Sequence, residues 1–234
     1  VLRFIIKKSL KWASIILPVS ESLVYTENSY YNNQILKFGY MHHLKGIQTP
    51  YKVIPNGVII NDWKRNTSIP KDTKSFITVM TSGKMQIKGG DLIIEIANKF
   101  PDYTFYFAGV NNLEGLHISD NIVCLGFLSS AELNRWYSIT QFYLQLSNTE
   151  GFGIAVCEAM LCECVPIVSN VNFLPNIVAE TGFVLKKRSV MLLEILINKA
   201  LRADLETLGV EAKMRIVENF SVNNRKNLLI KELL

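Results

Sequence analysis

The feature that most constrains the fold of this chain is an alternation of short apolar runs with helical patterns, which begins at Ser75. Short apolar runs bounded by turn residues predict buried strands, and the longer segments between them predict helices. The predicted strands are 76–81, 103–109, 121–125, 142–146 and 165–169, and the predicted helices are 88–99, 130–139, 154–162, 190–201 and 205–220. Strands and helices that alternate in this order form parallel βα units. The sequence therefore predicts an α/β fold with a doubly wound parallel sheet.

The first part of the chain has a less regular pattern. It predicts short strands at 14–19 and 51–54, a polar helix over 21–38 that ends at Gly39, and a turn at 55–57. The polar run 61–74 is typical of an exposed connection between domains. We therefore divide the chain into a first segment, 1–62, a main domain, 63–220, and a final amphipathic helix, 221–234.

Composition excludes several classes of protein. With 234 residues, of which 49% are apolar and 19% charged, the chain is globular and can bury a sizeable core. Its net charge of +5 is scattered, so binding of nucleic acid is not implied. No apolar run reaches the ~20 residues of a membrane-spanning helix. Residues 2–12 mix basic and apolar positions, which fits either packing in a core or contact with an anionic membrane surface.

The cysteines and histidines do not form a metal-binding pattern. The four cysteines lie among apolar residues without Cys-x-x-Cys spacing, and the chain has three histidines and no Asp-x-Asp sequence. We expect free thiols in a reducing cytosol, no metal and no cofactor.

Two carboxylates flank a glycine turn in the stretch SNTEGFGIAVCEAMLCECVP, residues 147–166. Glu150 follows a predicted strand, and Glu158 lies about one turn inside the predicted helix that comes after 151–153. In an α/β sheet this is the carboxyl end of a strand, where ligands bind and helix N–H groups can face an anion. Such a pocket suits a sugar or ribose attached to phosphate. The alternative is a strand, a turn and a helix with two solvated glutamates.

Two lysines follow the first strand of the main domain. Ser82-Gly83-Lys84 ends that strand, and Lys88 precedes Gly89-Gly90-Asp91 at the start of the next helix. Two ammonium groups beside glycines suit a diphosphate leaving group, whose charge they would neutralise. A solvated lysine pair is the alternative.

The string EGFGIAVCEAM followed by CVPIVSN resembles the Glu-x7-Glu signature of the retaining family 4 glycosyltransferases of the GT-B fold, also called group 1 glycosyltransferases. VIPNGVIINDW is similar to the segment that joins the two domains in that family, and SES at 20–22 is similar to a Val-Ser-Glu turn late in the first domain. The resemblance implies a Rossmann-like donor-binding domain at 63–220. It also implies that 1–62 is a remnant of an acceptor-side domain, in an N-terminally incomplete chain whose last helix crosses back to that domain.

The resemblance also implies roles for individual residues. Glu150 would lie near the transferred sugar, and Glu158 would accept hydrogen bonds from the donor ribose. The remaining donor-binding residues would hold the diphosphate, the sugar or, at Gly126, the base: Lys84, Lys88, Gly126, Gly151, Phe152 and Gly153.

The activity implied is that of a hexosyltransferase-type enzyme that moves a sugar from a nucleotide-diphosphate donor to a glycan or lipid-linked acceptor with retention, in polysaccharide or lipid-linked glycan synthesis. The enzyme would be cytoplasmic, at the inner face of the membrane, and would need its N-terminal domain. Lys84, Glu163 and Asn176 stand where the family usually has Arg, Gly and Glu. These departures favour the alternative, a catalytically silent module that binds a nucleotide sugar or a protein. A third reading, a nucleotide-sugar epimerase of the same fold, lacks a matching motif.

Overall fold

The computed structural model of this protein describes residues 2–31, 35–113 and 115–234. Its helices are α1 (Leu2–Trp12), α2 (Tyr40–His43), α3 (Met85–Lys88), α4 (Gly90–Ala97), α5 (Ser130–Ile139), α6 (Ile154–Leu161), α7 (Leu174–Val178), α8 (Val190–Ala200), α9 (Leu205–Asn219) and α10 (Val222–Leu233). Its strands are β1 (Thr26–Asn28), β2 (Leu36–Phe38), β3 (Asp72–Val79), β4 (Thr104–Ala108), β5 (Ile122–Gly126), β6 (Thr140–Gln145), β7 (Val165–Ser169) and β8 (Phe183–Leu185). Short 3-10 turns occur at Glu21–Leu23, Ile60–Asp62, Ser82–Lys84 and Ala179–Thr181.

Within the described residues, six strands form one parallel sheet in the order β5-β4-β3-β6-β7-β8. The prediction of a doubly wound α/β fold is therefore confirmed. The chain builds outward from β3 to β5 and then returns to place β6 on the other side of β3. The point between β3 and β6, where the strand order reverses, is where sheets of this kind form a ligand crevice.

The centre of the sheet explains why its strands read as continuous apolar runs. Every residue of β6 and β7 is buried, as expected for parallel strands covered by helices on both faces. Phe76 of β3 pairs in register with Phe105 of β4 and Phe142 of β6. The ring centroids of Phe76 and these neighbours are 4.7 and 4.9 Å apart, so aromatic rings stack across three strands.

Four helices from α5 onward begin where the sequence supplies a side-chain cap. Ser129 and Glu132 form a reciprocal capping box at the start of α5. A side-chain oxygen also accepts a hydrogen bond from a helix N–H at the start of three later helices, at Ser189, Asp204 and Ser221. The predicted starts of α8, α9 and α10 agree with the structure within one residue.

The predicted helix over 21–38 is wrong. Its described part contains a 3-10 turn and strands β1 and β2, which pair antiparallel from Thr26↔Phe38 to Asn28↔Leu36; residues 32–34 lie outside the described residues. The Asn28 side chain accepts a hydrogen bond from Tyr30 N at 2.6 Å. Asparagine side chains that bond the backbone two residues ahead favour turns over helices.

Two other predictions need smaller corrections. The predicted helix over 88–99 is divided by left-handed Gly89 into α3 and α4, so Lys88 ends one helix instead of opening the next. The predicted strands at 14–19 and 51–54 form only an isolated parallel bridge between Ile16 and Tyr51.

The first segment packs against the edge of the sheet that carries the crevice. Ser20 Oγ donates to Gly151 O at 3.0 Å, and Asn28 Nδ2 donates to Asn170 O at 2.6 Å. At the other end of the chain, Arg225 of α10 donates to the carbonyl oxygen of Ile54 at 2.7 Å. The last helix, α10, therefore contacts the first segment. The domain limits at 62 and 220 remain predictions.

None of the helices in the described ranges combines the length and the apolar character needed to cross a bilayer. The four cysteines are free, and Cys157, Cys162 and Cys164 are buried, which confirms the expectation of free thiols.

Candidate functional site

Hydrogen bonds join the segments that follow β3 and β6 at the crevice. Asn148, just after β6, donates from its backbone N to Ile87 O and from Nδ2 to Gln86 O, both at 2.8 Å. Gly89 has φ of +75°, and a Cβ at this position would lie 2.1 Å from Leu146 O. Only glycine permits this close approach of backbones. The contact brings Lys88 against the end of β6.

Glu150 is held at this point through both of its carboxylate oxygens. Oε2 forms an ion pair with Lys88 Nζ and accepts a hydrogen bond from Gln145 Nε2 at 3.0 Å. Oε1 accepts from Gly151 N at 3.1 Å, and the backbone N of Glu150 donates to Asn172 Oδ1 at 2.8 Å. The side chains of Lys88 and Glu150 are 22% and 15% exposed, so water screens their attraction only partly.

A buried row of polar side chains lies behind Glu150. Tyr143 and Gln145 are two residues apart on β6, so their side chains point to the same face of the sheet. Tyr143 Oη donates to Gln145 Oε1, and Gln145 Nε2 donates to Ser147 Oγ, each at 2.7 Å. Ser169 Oγ donates to Ser147 O at 2.7 Å. Neither Gln145 nor Asn172 was a predicted site residue; the available signal for Gln145 was a glutamine inside an apolar strand.

Glu158 has no such partners. It is half-buried one turn into α6, and its carboxylate makes no hydrogen bond or ion pair with the described residues. Burial raises the pKa of Glu158 to about 7. Burial, followed by the charges of Glu158 and Glu150, raises the pKa of Tyr143 well above its ordinary value. Both carboxylates therefore act electrostatically on the same buried tyrosine.

The turn between the two acids, residues 151–153, has one exposed residue and two buried ones. A Cβ on exposed Gly151 would meet nothing within 4 Å, so a ligand can approach this backbone. Gly153 has φ of +115° and lies against Leu174. Phe152 is 3% exposed and stacks on Phe173 at 5.4 Å. Its side chain therefore anchors the turn, and only its backbone can face a ligand; donor contacts at 151–153 stay predictions.

Neither Lys84 nor Gly126 forms a hydrogen bond or an ion pair with Glu150 among the described residues. Lys84 is exposed at the end of β3, and its ammonium forms no ion pair in the part of the chain that the structure describes. Gly126 ends β5, the second neighbour of β3. Its N–H donates to Val110 O at 2.9 Å, and its C=O accepts from Gly109 N at 2.7 Å. Both backbone groups thus shape a turn, and a contact with a base stays a prediction.

The unusual Glu163 lies away from the crevice. Its φ of +61° explains why glycine suits this position. Its carboxylate accepts hydrogen bonds from Arg65 and Lys213, and it lines a cavity with Gln141 at the amino ends of the strands. Burial alone would raise the pKa of Glu163, but the bonds from Arg65 and Lys213 hold it below its ordinary value. Glu163 therefore joins Arg65 to Lys213 of α9 at the amino ends of the strands, away from the crevice.

Asn176 lies in α7, where its carbonyl oxygen accepts from Arg215 of α9. Among residues 2–31, 35–113 and 115–234, no group of three or more His, Cys, Asp or Glu side chains is arranged to hold a metal ion. The expectation that no metal is needed stays a prediction.

The fold and the site together define a class of protein: a Rossmann-like α/β domain with an acid–lysine pair and an unpaired acid at its switch point. The chain belongs to the family of group 1 glycosyl transferases, whose profile matches residues 60–220.

The relatives cover different parts of the chain. A putative glycosyltransferase, ORF330 of Acidianus filamentous virus 2 (isolate Italy/Pozzuoli), is 41% identical over 54 residues, which are 22% of this chain and 16% of the relative. O-antigen chain mannosyltransferase B of Escherichia coli is 31% identical over 80 residues, 34% of this chain and 21% of the relative. The matches therefore span about a fifth or less of these relatives.

A solved structure extends the likeness of fold to nearly the whole chain. The structure of Anabaena Alr3699/HepE in complex with UDP and glucose matches 99% of this chain and 66% of its own, with a TM-score of 0.77 and 18% identity. At this identity the match shows the fold alone. It confirms the prediction of the C-terminal Rossmann-like domain of a GT-B fold.

Proposed function

We propose that this chain is the donor-binding part of a retaining glycosyltransferase that takes a sugar from a nucleotide-diphosphate donor. The observation that carries the proposal is the meeting of Lys88 and Glu150 at the switch point, in the turn that leads into α6, which carries Glu158 about one turn from its start. A cation for phosphate, an acid for the sugar and a free acceptor for hydroxyls are the groups that such a donor requires. Membership of the family supports the same reaction class.

Each residue has a definite role in the proposed reaction. Lys88 and Lys84 neutralise the diphosphate as the bond between its oxygen and the anomeric carbon breaks. Glu150 stabilises the positive charge that develops on that carbon. The acceptor hydroxyl attacks from the same face, which gives retention, and its proton passes to the departing phosphate oxygen. Glu158 accepts hydrogen bonds from the ribose. This reaction needs no metal.

The acceptor and the setting are also part of the proposal. The E. coli relative is an O-antigen chain mannosyltransferase, which favours a hexosyl donor and a glycan or lipid-linked acceptor. The HepE structure contains UDP, so a nucleoside diphosphate is the product to measure. Helix α1 exposes Leu2, Phe4 and Trp12 beside its lysines, which suits contact with the cytoplasmic face of an anionic membrane. Complete transfer would require an acceptor-side domain.

A second candidate is a silent module that binds a nucleotide sugar or a protein without turnover. The observation that favours it is Lys84, because a lysine lacks the guanidinium that binds phosphate bidentately.

Release of nucleoside diphosphate separates the two candidates. The full-length gene product is incubated with a panel of nucleotide sugars, with and without glycan acceptors, and Glu158→Ala is compared with a control at exposed Glu211 of α9, Glu211→Ala. We expect release with at least one donor, an at least tenfold lower kcat/KM for Glu158→Ala from loss of hydrogen bonds to a charged group, and wild-type rates for the control. Binding without release for every donor would support the silent module.

A further inference from the structure

Three donors hold the carboxylate of Glu150, and they differ in charge. Lys88 Nζ and Gln145 Nε2 share Oε2, whereas Gly151 N reaches Oε1. Lys88 is the only cation among the three. A diphosphate bound at the crevice carries more negative charge than one carboxylate and would attract the flexible Lys88 side chain away from Glu150.

We propose that Gln145 is the positioning residue that keeps the Glu150 carboxylate in place when Lys88 turns to the diphosphate. The proposal rests on the proposed function, since it assigns Lys88 to phosphate and Glu150 to the sugar. Gln145 does not reach the donor itself: it is 3% exposed and acts through Glu150. A neutral donor suits this task because it has no net charge for phosphate to attract.

The orientation of the Gln145 amide is fixed by its neighbours. Ionised Glu150 only accepts hydrogen bonds, so the NH₂ end of the amide must face it. The oxygen end then accepts from Tyr143 Oη at 2.7 Å. Burial raises the pKa of Tyr143 well above its ordinary value, so this hydroxyl keeps the proton that it donates. Tyr143 thus sets the direction in which Gln145 points its N–H groups.

The burial of Gln145 also argues for a specific role. An amide moved from water into a core costs free energy unless its hydrogen bonds are replaced. Here the oxygen has one partner, Tyr143, and the nitrogen has two, Ser147 and Glu150. Gln141, also on β6 and 4% exposed, provides a contrast, because its side chain makes no hydrogen bond to the described residues. Two buried glutamines on one strand therefore form a matched pair for experiment.

The kinetic test replaces each glutamine by methionine, which keeps the length of the side chain and removes its donors. In the full-length protein, Gln145→Met should lower kcat about ten- to a hundredfold, as for loss of a hydrogen bond to a charged group, and change donor KM less than about twofold. Gln141→Met should change neither value. Tyr143→Phe should lower kcat about threefold, since Gln145 loses its direction but keeps its donors.

A double-mutant cycle separates positioning from general damage to the fold. In a Glu150→Ala background, Gln145→Met should have no further effect on residual activity, because the group it positions is gone. An equal loss of kcat in both backgrounds would overturn the proposal, as would an unchanged kcat for folded Gln145→Met.

A crystallographic test does not depend on turnover. Lys88→Ala reproduces the state in which Lys88 has left Glu150. In this variant the Glu150 carboxylate should remain within hydrogen-bond distance of Gln145 Nε2, and in Lys88→Ala/Gln145→Met it should rotate away. A carboxylate that leaves Gln145 in the single variant would overturn the proposal. If wild-type protein shows no turnover while Glu150 stays on Gln145, the proposed function fails and the positioning role stands.

Discussion

The two glutamates of the crevice both act on the buried Tyr143, but they differ in the hydrogen-bond partners of their carboxylates. Glu150 contacts Lys88, Gln145 and Gly151 through its carboxylate, whereas Glu158 contacts no donor among the described residues. The difference follows from their positions. Glu150 lies in a turn, where backbone and strand side chains converge, whereas Glu158 projects from α6 about one turn beyond the free N–H groups at its start.

This contrast indicates that the two carboxylates would interact with a ligand in different ways. A carboxylate held by fixed donors is already oriented, so it can stabilise charge without rearranging during a reaction. A half-buried carboxylate without donors is costly until a ligand supplies them. We therefore expect Glu150 to contribute to the rate and Glu158 to contribute to affinity.

Glu150→Gln should lower kcat about 10²–10³-fold, the usual loss when a preorganised electrostatic group is removed. Donor KM should change little, because Lys84 and Glu158 remain. Steady-state kinetics of the full-length protein provide both values. A loss confined to KM would assign Glu150 to binding and would remove the distinction between the two acids.

The free energy of unfolding should fall with rising pH because of Glu158. Its pKa rises from an ordinary value of 4.5 to about 7 on folding, so between these values the folded state keeps a proton that the unfolded state has lost. The carboxyl group therefore lowers stability progressively above pH 4.5, by at most about 3 kcal/mol once pH exceeds 7.

Urea unfolding at a series of pH values measures this effect. In Glu158→Gln the difference in stability between pH 5 and pH 8 should shrink by about that amount, since the titrating group is absent. Glu211→Gln is the matched control on exposed surface and should keep the wild-type pH dependence. An unchanged slope in Glu158→Gln would mean that Glu158 is solvated in solution.

Donor affinity should show the opposite dependence on pH. Ionised Glu158 is the better acceptor for ribose hydroxyls, so donor KM should fall by up to about tenfold as pH rises from 6 to 8 through its pKa of about 7. Glu158→Gln should remove this change. A pH-dependent kcat with constant KM would place the titrating group in the chemical step instead.

Lys84→Ala should have the smallest effect, at most about a fivefold rise in donor KM, because exposed ion pairs contribute little. Lys84→Arg should restore or improve KM, since a guanidinium binds phosphate bidentately. Isothermal titration with UDP checks both variants. A loss larger than that of Lys88→Ala would show that the exposed lysine, and not the one paired with Glu150, is the main phosphate ligand.

Much of the fold followed from pattern alone. Apolar runs with helical segments between them indicated the parallel sheet, which the strand order confirms. The helix predicted over 21–38 failed because the side chain of Asn28 stabilises a turn, and sequence periodicity does not register such a local hydrogen bond. The continuous helix predicted over 88–99 is wrong at Gly89 for a different reason, because Gly89 lies against Leu146, a residue far away in the chain.

The sequence by itself determined the parallel sheet, the two acids and the two lysines as candidates, because strand and helix periodicity and the Glu-x7-Glu spacing are local properties. Only the tertiary structure decided which lysine meets which acid. The strand order brings β3 beside β6, and Gly89 lets their loops touch, so Lys88 pairs with Glu150 while Lys84 remains in solvent. The structure also revealed Gln145 as a partner of Glu150, since hydrogen bonds depend on distances of a few ångströms that residue spacing does not define.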